Sequence, residues 1–172
     1  ARVLETMRNR LHANPVAVQL PLGAEDAFRG VVDIIDQKAI VFEEETLGAD
    51  YDVEEIPAEM LDEVAVYREK LIEAVSEVDD SLLEKYLSGG EISGNEIRAA
   101  LRKGTIALKF VPVLCGSAFK NKGIQQLLDA IVAYLPSPLD IPPVEGVTEN
   151  GAVPPVRKPS DNEPFSGLVF KI

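Results

Sequence analysis

The stretch VPVLCGSAFKNKG, residues 111–123, sets an apolar run from Val111 to Cys115 against a Gly-Ser-Ala turn. It leads directly into KGIQQLLDAIVAYL, residues 122–135, where Ile124, Leu127, Leu128, Ile131 and Leu135 recur on one stripe at helical spacing. Pro136 and Pro138 then stop the helix, because proline lacks the N–H and its ring collides with the preceding turn. The predicted unit is a strand, a tight turn and an amphipathic helix.

Upstream of this unit, Val3, Leu4, Met7 and Leu11 in ARVLETMRNRL predict a first helix, interrupted by Asn14 and Pro15. The run Pro15 to Leu22 reads as a strand whose end, at Pro21, belongs at a sheet edge, since proline cannot donate to a ladder. Phe28 to Ile35 and Lys38 to Glu43, joined by Asp36 and Gln37, predict a hairpin, with a short third strand at Tyr51 to Ile56. After Pro57, the residues Met60 or Leu61, Val64, Leu71, Val75 and Val78 keep a helical rhythm over five turns. Two shorter helices follow. DDSLLEKYL is capped by Asp79 or Asp80 and ended by Gly89 and Gly90, and GNEIRAALRKG is closed by Gly104. Thr105 to Leu114 returns to strand composition. Between Leu139 and Pro164, six prolines among scattered charges read as an extended linker, and PFSGLVFKI as a closing strand that needs a sheet to pair with.

Composition limits the function. The 172 residues are 46% hydrophobic, enough for one core or a core with a small insert. A net charge of -12 repels phosphate backbones and anionic membranes, so neither DNA nor a membrane is an expected direct partner, and basic proteins are favoured. The single cysteine, Cys115, rules out an internal disulfide, and no Cys/His spacing suggests zinc, which fits a reducing, cytoplasmic compartment.

On GSAFKNKGIQQLLDAIVAYLPSPLDIPP, residues 116–143, the chain resembles the elongation factor G family of translational GTPases. That resemblance implies that Gly116, Ser117, Ala118 and Phe119 form the fifth guanine-binding motif. The Ala118 N–H would donate to guanine O6, Gly116 would allow close approach to the base, and Phe119 would flank it. Adenine presents a donor at that position, and donor against donor leaves a buried group unpaired. The bare alternative is an ordinary strand-to-helix connection. GxxxxGK[ST], the switch segments and Asn-Lys-x-Asp do not occur in the sequence, so GTP or GDP and its Mg2+ are expected to be bound by the complete factor, and no hydrolysis by this segment alone. By the same resemblance, RVLETMRNRL lies just after the Asn-Lys-x-Asp motif.

The implied fold class is α+β: a small β-sheet with a three-helix insert packed on remnants, one strand plus helices, of a P-loop GTPase α/β domain. The corresponding partition is residues 1–14 as a GTPase-domain helix, 15–109 as the insert, 110–138 as the strand-loop-helix, 139–164 as linker and 165–172 as the first strand of a following β-barrel.

Charge marks a second region. From Glu43 to Glu84 there are sixteen acidic residues against Arg68 and Lys70 alone. Asp62, Glu69, Glu73 and Glu77 fall between the apolar positions of the long helix, giving an acidic outer face that serves solubility or attracts a basic partner. The resemblance implies that this insert meets the basic C-terminal domain of the ribosomal stalk protein, with Asp62, Glu63, Glu69 and Glu73 facing it. Without the resemblance, the region reads as an autonomous acidic interaction module that binds no nucleotide. No catalytic residues are identified. Asp33 and Asp36 sit in what reads as one strand and would face opposite sides. His12 has no metal or catalytic partner spacing, and Cys115 reads as a small buried residue. Lys120 and Lys122 read as a solvated helix start or as residues facing RNA or nucleotide.

Overall fold

In a computed structural model, which describes residues 2–44, 46, 48–143, 156, 158–165, 167 and 171, the run from Pro15 forms two strands rather than one. β1 (Pro15–Ala17) pairs in parallel with β6 (Val111–Val113), and β2 (Gln19–Leu22) opens an antiparallel meander with β3 (Gly30–Asp33), β4 (Lys38–Phe42) and β5 (Tyr51–Glu54). Val18 is the joint. Its N–H donates to Val113 O at 3.0 Å and its carbonyl accepts from the Ile34 N–H at 3.1 Å, one bond to each sheet. The sequence run hides this joint because a bend between two buried strands leaves the apolar composition unbroken. Pro21 does lie on an edge, since β2 is the outermost strand of the meander.

The β3–β4 hairpin turns through four residues, Ile34 to Gln37, rather than the two expected, with Asp33 registered on Lys38. Asp33 Oδ1 closes the turn by accepting the N–H groups of Ile35 (2.7 Å) and Asp36 (2.9 Å). Asp36 therefore sits in the turn and not on the strand, and it is ion-paired to Arg98. Both carboxylates have structural duties, and the expected opposed placement on one strand is corrected.

Among the described residues, five α-helices accompany the sheets: α1 (Arg2–Leu11), α2 (Leu61–Ser76), α3 (Asp80–Leu87), α4 (Gly94–Ile106) and α5 (Ile124–Tyr134). The caps are those that the residue types favour. Asp79 accepts from the N–H groups of Ser81 and Leu82 at the start of α3, and Ser93 with Glu96 forms a capping box on α4. Helix α4 runs through Gly104 instead of ending there. The Phe110 ring occupies the space that a Cβ at Gly104 would take, so this glycine serves packing, and the turn to left-handed backbone comes at Leu108. The strand expected from Thr105 is thus only Val111–Val113.

One face of the meander, through Leu20, Leu22, Val32 and Ala39, packs with Val64, Leu71 and Val75 of α2 and Ile97 and Leu101 of α4. Each Val, Leu or Ile side chain there contributes roughly 1.5–3 kcal/mol by leaving water. Arg68 fastens α2 to the hairpin by donating to the carbonyls of Ile34 and Ile35, both at 2.7 Å. The arrangement is α+β.

Two units are distinguished, Ala1–Leu135 and Pro136–Ile172. Within the second, Asp140 Oδ2 accepts from the Ser137 N–H and hydroxyl, both at 2.7 Å. Residues 144–155 and 157 of the expected linker, and 166, 168–170 and 172 of the expected closing strand, lie outside the described residues.

Candidate functional site

Past β6, the chain enters a turn closed by reciprocal backbone bonds: the Ser117 N–H to Lys122 O at 2.9 Å, and the Lys122 N–H to Ser117 O at 3.0 Å. A single 3-10 turn, Ala118–Lys120, fills it. Lys120 and Asn121 donate to the Ser117 and Ala118 carbonyls, and the Ala118 N–H is not among the donors that close the turn. Gly116 is required by close approach, because a Cβ there would stand 2.6 Å from Lys122 O. Gly123 is required by its backbone, with φ at +86°. Gly116, Ala118 and Phe119 are exposed and Ser117 is half-buried, so all four expected residues share one open loop, from which the Phe119 side chain protrudes fully exposed. A hollow of about 170 Å³ runs along the loop between Gly116 and Leu127.

Two residues that the sequence did not single out as structural hold this loop in place. Lys122, expected at a solvated helix start, is only 3% exposed and precedes α5. Its ammonium reaches back to Phe28 O at 3.2 Å and Glu44 Oε1 at 3.4 Å. Gln125 Nε2 donates to Ala49 O at 2.8 Å. The loop is thereby tied to two connections of the meander, β2–β3 through Phe28 and β4–β5 through Glu44 and Ala49. Lys120 is exposed. Burial pushes the Cys115 thiol up to about 11, which keeps it protonated and a poor nucleophile at neutral pH. No group of His, Cys, Asp and Glu among the described residues is arranged to hold a metal ion.

Helix α5 is oriented differently from what its apolar stripe suggests. Leu127, Leu128, Ile131 and Leu135 are all exposed and Ile124 is half-buried, while Gln126, Ala130 and Tyr134, on the adjoining stripe, face the rest of the chain. Amphipathicity gave the helix but not which way it turns.

On α2, Asp62, Glu63, Glu69 and Glu73 are all exposed. At about 100° per residue, Asp62, Glu69 and Glu73 line up opposite the buried Val64, Leu71 and Val75, whereas Glu63 lies on the flank. Exposed Val66 sits within the stripe. Glu73 and Glu69 adjoin Tyr86 of α3, whose phenol is pushed up first by desolvation and then by these two carboxylates. Of the expected cations, Arg68 is committed to the hairpin carbonyls, and Lys70 lies 5.3 Å from the Tyr67 ring centroid.

Residues 59–137 match the family model described as the elongation factor Tu GTP binding domain. Among solved structures, the chain is similar to the crystal structure of ttk003000868 from Thermus thermophilus. The TM-score is 0.69 at 30% identity, over 81% of this chain and 20% of that one. The chain thus spans about a fifth of the length of that relative. The family-model match supports a translational GTPase-like domain.

Proposed function

We propose that the chain is a segment of an elongation factor G-type translocase, which uses GTP hydrolysis to move tRNA and mRNA on the ribosome. In this reading residues 1–14 and 110–138 belong to the GTPase domain, 15–109 form the insert, 139–164 are a linker and 165–172 start a β-barrel. The protein works in the cytoplasm. The segment supplies a guanine-contacting turn and an insert that docks on the basic C-terminal domain of the stalk protein.

The observation that carries the reading is the open turn at Gly116–Phe119, with the Ala118 N–H outside the turn's own bonds and the backbone fixed around it. A donor held in place selects an acceptor. Guanine O6 is one, and the adenine amino group is not. Phe119 is free to cover a base face. The outward apolar stripe of α5 further supports a segment that is covered by other parts of a larger factor. The GTP phosphates and Mg2+ would be held by other segments of that factor, since GxxxxGK[ST] and Asn-Lys-x-Asp do not occur in this sequence.

The test is an NMR titration of the 172-residue chain with guanosine and with adenosine. Guanosine is expected to shift the Ala118 amide with millimolar affinity, and adenosine to leave it unmoved. An equal response to both nucleosides overturns the guanine assignment. No response to either, with stalk binding retained, favours the second reading, an acidic interaction module built on the α2 stripe. Tight, magnesium-dependent GDP binding would contradict the assignment of the phosphate site to other segments.

A further inference from the structure

We propose that the cleft between the outer face of the meander and the inward side of α5 binds a small organic cation, a primary ammonium or guanidinium on an apolar stem. The meander has two faces, and only one is filled by α2 and α4. On the other, Gln19, Asp33, Lys38, Ile40 and Val53 look toward Gln126, Asp129, Ala130 and Ala133 of α5 across a space of about 330 Å³. That is room for roughly eleven waters, or for a short chain with a polar head.

The hydrogen-bonding state of the lining decides the ligand's chemistry. Gln19 is 7% exposed, and its Oε1 is buried with no hydrogen-bond partner. The Oε1 of Gln126 is in the same condition. Asp33 uses Oδ1 to close the hairpin turn, and no described hydrogen bond is made to its Oδ2. Asp129 is exposed at the rim and forms no ion pair among the described residues.

Each charged donor on the lining is engaged by a carboxylate. Arg98 is paired with Asp36, and Lys38 with Glu55. Beside these pairs, between apolar walls of Ile40, Val53, Leu114, Ala130 and Ala133, stand the unpartnered oxygens of Gln19 and Gln126 and the carboxylates of Asp33 and Asp129. An ammonium offers three donors and a guanidinium five, and neither has an acceptor to oppose the oxygens. A carboxylate or phosphate would be repelled by the carboxylates of Asp33 and Asp129. The net charge of -12 adds a field that concentrates cations and repels anions. None of Gly116 to Phe119 lines this cleft, so the assignment stands apart from the guanine reading.

The experiment is an NMR titration of the 172-residue chain with n-butylguanidinium and n-butylammonium, with 1-butanol and butyrate as neutral and anionic probes of the same stem. Saturable shifts of the Gln19 and Gln126 side-chain amides are expected with the two cations and not with the other probes. Asp129→Asn, at an exposed position, and Ala130→Leu, which fills the cleft, are each expected to weaken cation binding at least about tenfold, the amide spectrum elsewhere reporting an intact fold. The proposal is overturned if 1-butanol binds as tightly as the cations, if affinity is undiminished in either variant, or if the shifts gather on the acidic stripe of α2 instead of the cleft.

Discussion

At Gly123 and Lys122 the backbone of the candidate loop is fixed by single residues. Gly123 has φ at +86°, and a Cβ would lie 3.1 Å from Cys115 O and 3.3 Å from Gly116 Cα. Gly123→Ala is therefore expected to lower stability by about 1–3 kcal/mol, read from the urea midpoint. Lys122→Met keeps the stem and removes the ammonium, leaving Phe28 O without that donor. A loss of about 1–3 kcal/mol is expected, with faster amide exchange at Ser117. The sequence showed the loop because its residue types and their order are local. It did not show what Lys122 does, because its partner carbonyl is 94 residues away and no periodicity records such a pairing. A lysine between Asn121 and Gly123 reads as solvated unless the opposing chain is known.

Among the elements, the start of α3 was readable from Asp79 or Asp80, whereas the Ser93 and Glu96 box on α4 was not singled out, and the carboxylates of Asp79 and Glu96 offer a check by titration. The Asp79 carboxyl is held at about 2 by the Ser81 hydroxyl and then by Lys103, and the Glu96 carboxyl at about 2 by Lys85 and then by Ser93. Both are depressed from ordinary values of 3.8 and 4.5, so the unfolded chain takes up protons first. Their contribution is complete above about pH 5 and is lost as the pH falls through 4 toward 2. The urea midpoint should decline over that window, and Asp79→Asn or Glu96→Gln should reduce the decline.

The end of α4 was not readable, because a glycine near a helix terminus is ordinarily a stop signal. Here Phe110 lies against Gly104. Gly104→Ala would gain up to about 1 kcal/mol in helix propensity, but overpacking costs about 1–3 kcal/mol, so a net loss is expected, relieved in the double variant Gly104→Ala with Phe110→Leu. Calorimetry of the three proteins distinguishes this from a simple helix stop.

For the molecule as a whole, charge is the property most visible in the sequence and least decided by the fold. Asp62, Glu69 and Glu73 align on the outer side of α2, where no ion pair among the described residues engages them. Asp62→Lys, Glu69→Lys and Glu73→Lys together should weaken association with a basic stalk domain at low salt and flatten its dependence on ionic strength. Unchanged affinity would assign the stripe to solubility alone. Which side of α5 turns outward is a further whole-molecule property that its periodicity could not supply, since an apolar stripe shows that a surface is to be covered without saying by what.

Val18 has a role of a different kind. With its amide bonded to Val113 of β6 and its carbonyl to the Ile34 N–H at the end of β3, Val18 couples the parallel pair to the meander through two backbone bonds. Pulling on either transmits tension straight through a single residue, and melting should take both together in one step.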